Sequence, residues 1–139
     1  MPTPIEREAA ALKQFAAGYE VWGPEVSRLI NLETRGADVG ANGYTTMAQA
    51  DDLADALRLR PGVRLLDIGA GLGWPSLYLA EKTGCDVIVT DIPPATVRAA
   101  ARRANEPPLS ERCSFAVASA DRLPFRTASF DAIVHTDTL

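Results

Sequence analysis

The chain has 139 residues, 47% of them hydrophobic and 23% charged, with a net charge of −4. This is the profile of one soluble globular domain large enough to bury a core. The acidic balance gives no basic footprint for a nucleic-acid backbone or an anionic membrane, and no apolar run approaches the roughly 20 residues that span a bilayer. Met1-Pro2-Thr3-Pro4-Ile5-Glu6 has neither the basic nor the apolar region of a secretion signal, so a cytoplasmic location is expected.

Taken in chain order, residues 1–60 are expected to be helical. Thr3-Pro4-Ile5-Glu6 reads as a capping box with proline at the first helical position. Ile5, Leu12, Phe15, Ala16 and Tyr19 follow at helical spacing. Gly23-Pro24 is expected to reset the chain before a second short helix carrying Val26, Leu29 and Ile30. Gly36 to Tyr44, with three glycines, Asp38 and Asn42, is a loop. Thr46-Met47-Ala48-Gln49 is a second capping box, opening a helix with Met47, Ala50, Leu53, Ala54 and Leu57 on one face and closed by Pro61-Gly62.

From Val63 the pattern alternates. Strands are expected at Val63–Ile68, Asp86–Asp91, Ser114–Ala118 and Phe130–His135, with helices at Trp74–Thr83 and Pro94–Asn105 and a loop at Pro107-Pro108. Alternation of this kind predicts an α/β fold, a Rossmann-like doubly wound parallel sheet of about four strands, with ligands bound outside the carboxyl ends of the strands. The division expected is a helical cap over 1–60 and a ligand-binding domain over 61–139. Cys85 and Cys113, at the starts of two strands, lack metal-ligand spacing and read as reduced, small apolar residues; no metal site is expected.

The chemistry concentrates in Asp67-Ile68-Gly69-Ala70-Gly71-Leu72-Gly73-Trp74-Pro75. A strand ends in a carboxylate, and alternating glycines then bring bare backbone to the mouth of a helix, whose free N–H groups favour an anionic ligand group. The third glycine comes one residue too early for the dinucleotide pattern G-x-G-x-x-G. Asp91, closing the next strand, suits the two hydroxyls of a ribose, with a helix N-cap as its plain alternative.

Asp67-x-Gly69-x-Gly71-x-Gly73 resembles the first motif of class I S-adenosylmethionine-dependent methyltransferases. Ala118-Ser119-Ala120-Asp121-Arg122-Leu123-Pro124-Phe125, followed by Ser129-Phe130-Asp131-Ala132-Ile133-Val134, resembles the type 11 methyltransferase domain, the group with the quinone-biosynthesis C-methyltransferases. The resemblance covers about Ala48 to Leu139. It implies S-adenosylmethionine as cofactor, held by Asp67, Gly69, Ala70, Gly71, Gly73, Asp91, Ile92, Ser119, Ala120, Asp121 and His135. Asp67 would order the glycine turn near the methionine ammonium, and Gly69 would offer its carbonyl there. The family's adenine-binding acidic residue aligns with Ser119, and Asp121 is its substitute.

Asp131, at the opposite end of the sheet, and Leu123-Pro124-Phe125 read as structural. Tyr19, Trp22, Tyr44 and Thr45 resemble a lid, with helix packing as the other reading. No catalytic residue is assigned. His135, the only histidine, is the candidate base, set against a backbone or packing role, and Asp137 lies equally close.

The expected function is methyl transfer to a small-molecule acceptor, with neither nucleic acid nor membrane as partner. The alternatives are a cofactor-binding module without activity and, less in keeping with the motifs, an NAD-binding oxidoreductase. The family's sheet normally continues past its fourth strand, so the chain is expected to be the N-terminal portion of a longer enzyme. Its fourth strand would then be an open edge at which self-association can occur.

Overall fold

A computed structural model describes residues 1–41 and 43–137. Its first element, α1 (Pro4–Arg35), opens on the expected capping box. The Thr3 hydroxyl accepts from the Glu6 N–H at 3.2 Å, and the Glu6 carboxylate accepts from the Thr3 N–H at 2.7 Å. Gly36, left-handed at φ 76°, closes the helix by donating to the Leu32 carbonyl. The expected break at Gly23-Pro24 does not occur, because α1 is one helix of 32 residues. An interior proline costs about 3 kcal/mol through one lost hydrogen bond and a local clash. Helix formers on both sides and a closed cap at each end keep the element continuous across it.

The carboxyl end of α1 is tied to the body through polar groups. Asn31 is 1% exposed. It donates to the carbonyls of Ser27 (2.8 Å) and Ala41 (2.9 Å) and accepts from the Ala41 N–H (3.0 Å). Arg103 supports the same loop by donating to the Asp38 carbonyl.

The second capping box starts α2 (Met47–Ala56), where Thr46 and Gln49 bond reciprocally. This helix ends before Pro61-Gly62, since Leu57 is its C-cap and Arg58 turns left-handed at φ 51°. Ala50 and Ala54 are its buried positions, and Ala54 and Leu59 join the main core.

The strands are β1 (Arg64–Ile68), β2 (Asp86–Asp91), β3 (Cys113–Val117) and β4 (Ala132–Val134). They form a wholly parallel sheet in the order β3-β2-β1-β4, with Asp67 opposite Val89 on one side and Val134 on the other. Strand order reverses at β1, which opens a crevice at the carboxyl ends of β1 and β4. Between strands lie α3 (Ser76–Thr83), α4 (Pro94–Arg103) and the short α5 (Leu109–Arg112).

Two differences have local causes. Helix α3 starts at Ser76 rather than Trp74, because a residue preceding proline is pushed out of the helical region. The loop expected around Pro107-Pro108 runs into α5, a single turn too short to show periodicity.

The core gathers Leu65, Leu79, Ala80, Val87 and Val89. Cys85 is buried among them and Cys113 is half-buried against them, both as free thiols. Burial raises the Cys85 thiol and pushes Cys113 up to about 11, so neither offers a thiolate near neutrality. Asp131 is structural, as expected. It accepts from the Arg64 backbone N–H (2.9 Å) and side chain (3.2 Å), fixing the start of β4 to the start of β1. Phe125 meets Phe130 edge-on, with centroids 5.1 Å apart.

Candidate functional site

The sheet register carries Asp67, Asp91 and the residues after β3 and β4 to one rim. The glycine turn leaves β1 with Gly69, Gly71 and Gly73 all at positive φ (69°, 57° and 97°). Only glycine takes such a sequence of left-handed angles without repeated strain. Ala70 stays within the turn, 6% exposed, its N–H donating to the Thr90 carbonyl at 3.0 Å. Thr90 in return donates its hydroxyl to the Asp67 carbonyl at 2.7 Å. This buried threonine staples the turn to both central strands, and its place inside an apolar run gave no signal of it in the sequence.

Asp91 is held through both carboxylate oxygens. Oδ2 accepts from the Gly71 N–H at 2.8 Å and Oδ1 from the Ile92 N–H at 2.7 Å. The alternative of a helix N-cap does not hold, since the cap of α4 is Pro93 and no side chain bonds there. Each Asp91 oxygen keeps a free lone pair, so the carboxylate is a fixed acceptor for hydroxyl donors.

Asp67 differs from expectation. The family resemblance has it order the glycine turn near the methionine ammonium, yet the side chain that bonds the turn is Asp91, through the Gly71 N–H. The Asp67 side chain is fully buried, and neither oxygen accepts a hydrogen bond from the described residues. The neighbouring Ser76 hydroxyl is directed at the Gly73 carbonyl (3.4 Å), although rotated it is a neutral donor beside the carboxylate. Burial, with a smaller contribution from the Asp91 charge, pushes Asp67 up to about 7. A buried carboxylate without partners is costly, and a cation brought to the turn would relieve it.

Beyond β3, the Ala118 N–H donates to the Asp91 carbonyl (3.0 Å), which brings the next residues beside Asp91. Ser119 and Asp121 bond to each other, the hydroxyl donating to the carboxylate at 2.5 Å. Ala120 lies exposed between them. His135 follows β4 directly and is exposed, one residue past the Val134 that pairs with Asp67.

Of the residues that resemble a lid in sequence, Tyr44 is 91% exposed and Thr45 is buried. The side chains of Tyr19 and Trp22 lie outside the described residues. The Thr45 carbonyl accepts from Trp74 Nε1 (3.0 Å) and from Arg35 (3.2 Å), while the Arg35 guanidinium lies 5.9 Å from the centre of the Trp74 ring. Arg35 was not singled out in the sequence, where one arginine in a charged helix carries no distinguishing mark.

The profile of the methyltransferase domain family matches residues 65–139, more than half of the chain. The chain belongs to that family. This methyltransferase domain is similar to the 27-O-demethylrifamycin SV methyltransferase of Amycolatopsis mediterranei, 41% identical over 96 residues, or 68% of this chain and 35% of that protein. It is also similar to the demethylmenaquinone methyltransferase of Beutenbergia cavernae, 43% identical over 79 residues, or 57% of this chain and 30% of that protein. Among solved structures, a geranyl diphosphate methyltransferase in complex with S-adenosylmethionine is 28% identical, covers 63% of this chain and 36% of its own, and superposes with a TM-score of 0.58. The chain spans about a third of the length of these relatives. Among the described residues, no helix is long and apolar enough to cross a membrane.

Proposed function

We propose that this methyltransferase domain holds S-adenosylmethionine and supplies the donor half of methyl transfer to a small-molecule acceptor. The observation that carries this reading is the buried, unpartnered Asp67 carboxylate behind a glycine turn whose other carboxylate, Asp91, is already fixed. The two anions suit different parts of that cofactor. Asp67 would balance the methionyl ammonium, and the free lone pairs of Asp91 would accept from the ribose hydroxyls. Gly69, Gly71 and Gly73 let the ligand approach the backbone, with Ala70 and Ile92 as its main-chain neighbours. Ser119, Ala120 and Asp121 would border the adenine, and His135 the methyl end. Residues 1–60 would act as a cap on this unit.

When bound, the cofactor supplies a methyl group on a sulfonium, an excellent leaving group. The chain's own contribution is therefore to fix orientation and charge around an in-line displacement. Hydrogen bonds from hydroxyls to a charged carboxylate are worth roughly 1.5–3 kcal/mol each, so Asp91 anchors the donor firmly. His135 reads as a backbone or packing neighbour, and no base is assigned. Among relatives, the demethylrifamycin and demethylmenaquinone enzymes are named for small-molecule substrates. The net charge of −4 agrees with such an acceptor and gives no attraction to nucleic acid.

Isothermal titration of the chain with S-adenosylhomocysteine and with NADH tests the reading. Binding of the former alone is expected, and binding of NADH alone would overturn it. A panel of methyl acceptors then separates a transferase from a silent binding module. The β4 edge, where Ile133 is 53% exposed, supports self-association of the isolated chain, which light scattering reads.

A further inference from the structure

One oxygen of Asp137, three residues past β4, gathers three donors from the far end of the sequence. Oδ2 accepts from the Tyr44 N–H (3.0 Å), the Thr45 N–H (3.1 Å) and the Thr45 hydroxyl (2.9 Å). Asp137 is left-handed at φ 58°, one of the few described non-glycine residues with positive φ. Such a backbone persists where its surroundings over-determine it. Gly43 completes the fit, because a Cβ there would lie 2.1 Å from Asp137 Oδ2. The same Thr45 is gripped from the other side through its carbonyl by Trp74, at the exit of the glycine turn, and by Arg35 of α1. Arg35 also donates to the Gly43 carbonyl at 2.8 Å.

We propose that Asp137 is a positioning residue for donor binding: its carboxylate clasps Tyr44–Thr45 to the end of β4, and the clasped segment walls the crevice between the glycine turn and β4. This rests on the donor reading given above. The clasp ties the N-terminal segment to the strand that pairs with β1 at Asp67, where the donor crevice opens. Its bonds are charge-assisted and therefore strong for their number. Asp137 and Tyr44 are exposed, so water reaches the carboxylate and can displace the Tyr44 N–H. The clasp can loosen at its Tyr44 end around a ligand while the buried Thr45 keeps its hold on Trp74 and Arg35, unlike the wholly buried Asn31 anchor. Tyr44, almost wholly exposed, then stands at the rim with its ring free to cover what the crevice holds.

The test measures dissociation of S-adenosylhomocysteine in a chase, together with chymotryptic cleavage after Tyr44, for wild type, Asp137→Ala, Asp137→Asn and Gly43→Ala. Asp137→Ala is expected to release the ligand at least tenfold faster and to be cut at Tyr44. Sodium formate, against sodium chloride at equal ionic strength, should reverse both effects by filling the vacated donors. Asp137→Asn keeps an acceptor oxygen and should fall between wild type and Asp137→Ala. Gly43→Ala should match Asp137→Ala but resist rescue, because its methyl group occupies the space formate needs.

Should Asp137→Ala fail to fold, Thr45→Val, which removes one donor of three, takes its place with an expected severalfold faster release. Wild-type protein that binds no S-adenosylhomocysteine overturns the donor reading and the clasp's role with it. Wild type that binds, while the variants release ligand at the wild-type rate, overturns the clasp alone.

Discussion

Replacing Asp67 by asparagine should make the ligand-free protein less sensitive to pH while removing most of its affinity for the donor. In the wild type, burial and the neighbouring Asp91 hold the Asp67 carboxyl at about 7, against an ordinary value of 3.8. The folded state therefore binds this proton more tightly than the unfolded state does. Stability conferred by the neutral acid is present below about pH 4, falls as pH rises through the interval up to 7, and levels off above it. With these two values, linkage gives a loss of about 3 kcal/mol between pH 5 and 8.5. Asp67→Asn cannot ionise, so that loss should vanish. An unpartnered buried amide costs about 1–3 kcal/mol, but at every pH alike.

The assay is urea denaturation of both proteins at pH 5 and pH 8.5, read as the change in their stability difference. S-adenosylhomocysteine should stabilise the wild type more at pH 8.5 than at pH 5, since its ammonium favours the ionised carboxylate. A wild-type-minus-variant difference that stays constant over this range would refute the reasoning, for it would mean that Asp67 is already satisfied and ionised throughout.

Two further outcomes follow from local geometry. Gly73→Ala places a Cβ 2.6 Å from Leu77 Cδ1 at φ 97°, so it should cost about 2–3 kcal/mol in urea denaturation and weaken S-adenosylhomocysteine binding in titration. The Cys113 thiol, pushed up to about 11, should react with iodoacetamide at pH 7.5 at least tenfold more slowly than free glutathione, as peptide mass spectrometry would show.

Residue pattern foretold the sheet well because parallel strands buried on both faces announce themselves as apolar runs between turn signals. Asp86–Asp91 appears with the boundaries read from sequence, and the others shift by one or two residues at their ends. The glycine turn and Asp91 were legible because positive φ and a carboxylate at a strand end leave marks in the residue types themselves. The Gly23-Pro24 signal misled because a proline's local cost is outweighed by the helix on either side. Pairing at long range was the hidden part. That Asp67 lacks partners, that Thr90 staples two strands, and that Thr45 is gripped by Arg35, Trp74 and Asp137 depend on residues brought together only by the fold. Local spacing carries no record of them.

The central claim is that Asp91, pinned by Gly71 and Ile92, anchors the donor's sugar. Titration of S-adenosylhomocysteine into wild type and Asp91→Ala, with circular dichroism to establish the fold of each, tests it most directly. Two lost hydrogen bonds to a charged acceptor predict binding weaker by about 100-fold or more in the variant. A folded Asp91→Ala protein that binds as tightly as the wild type would contradict the account.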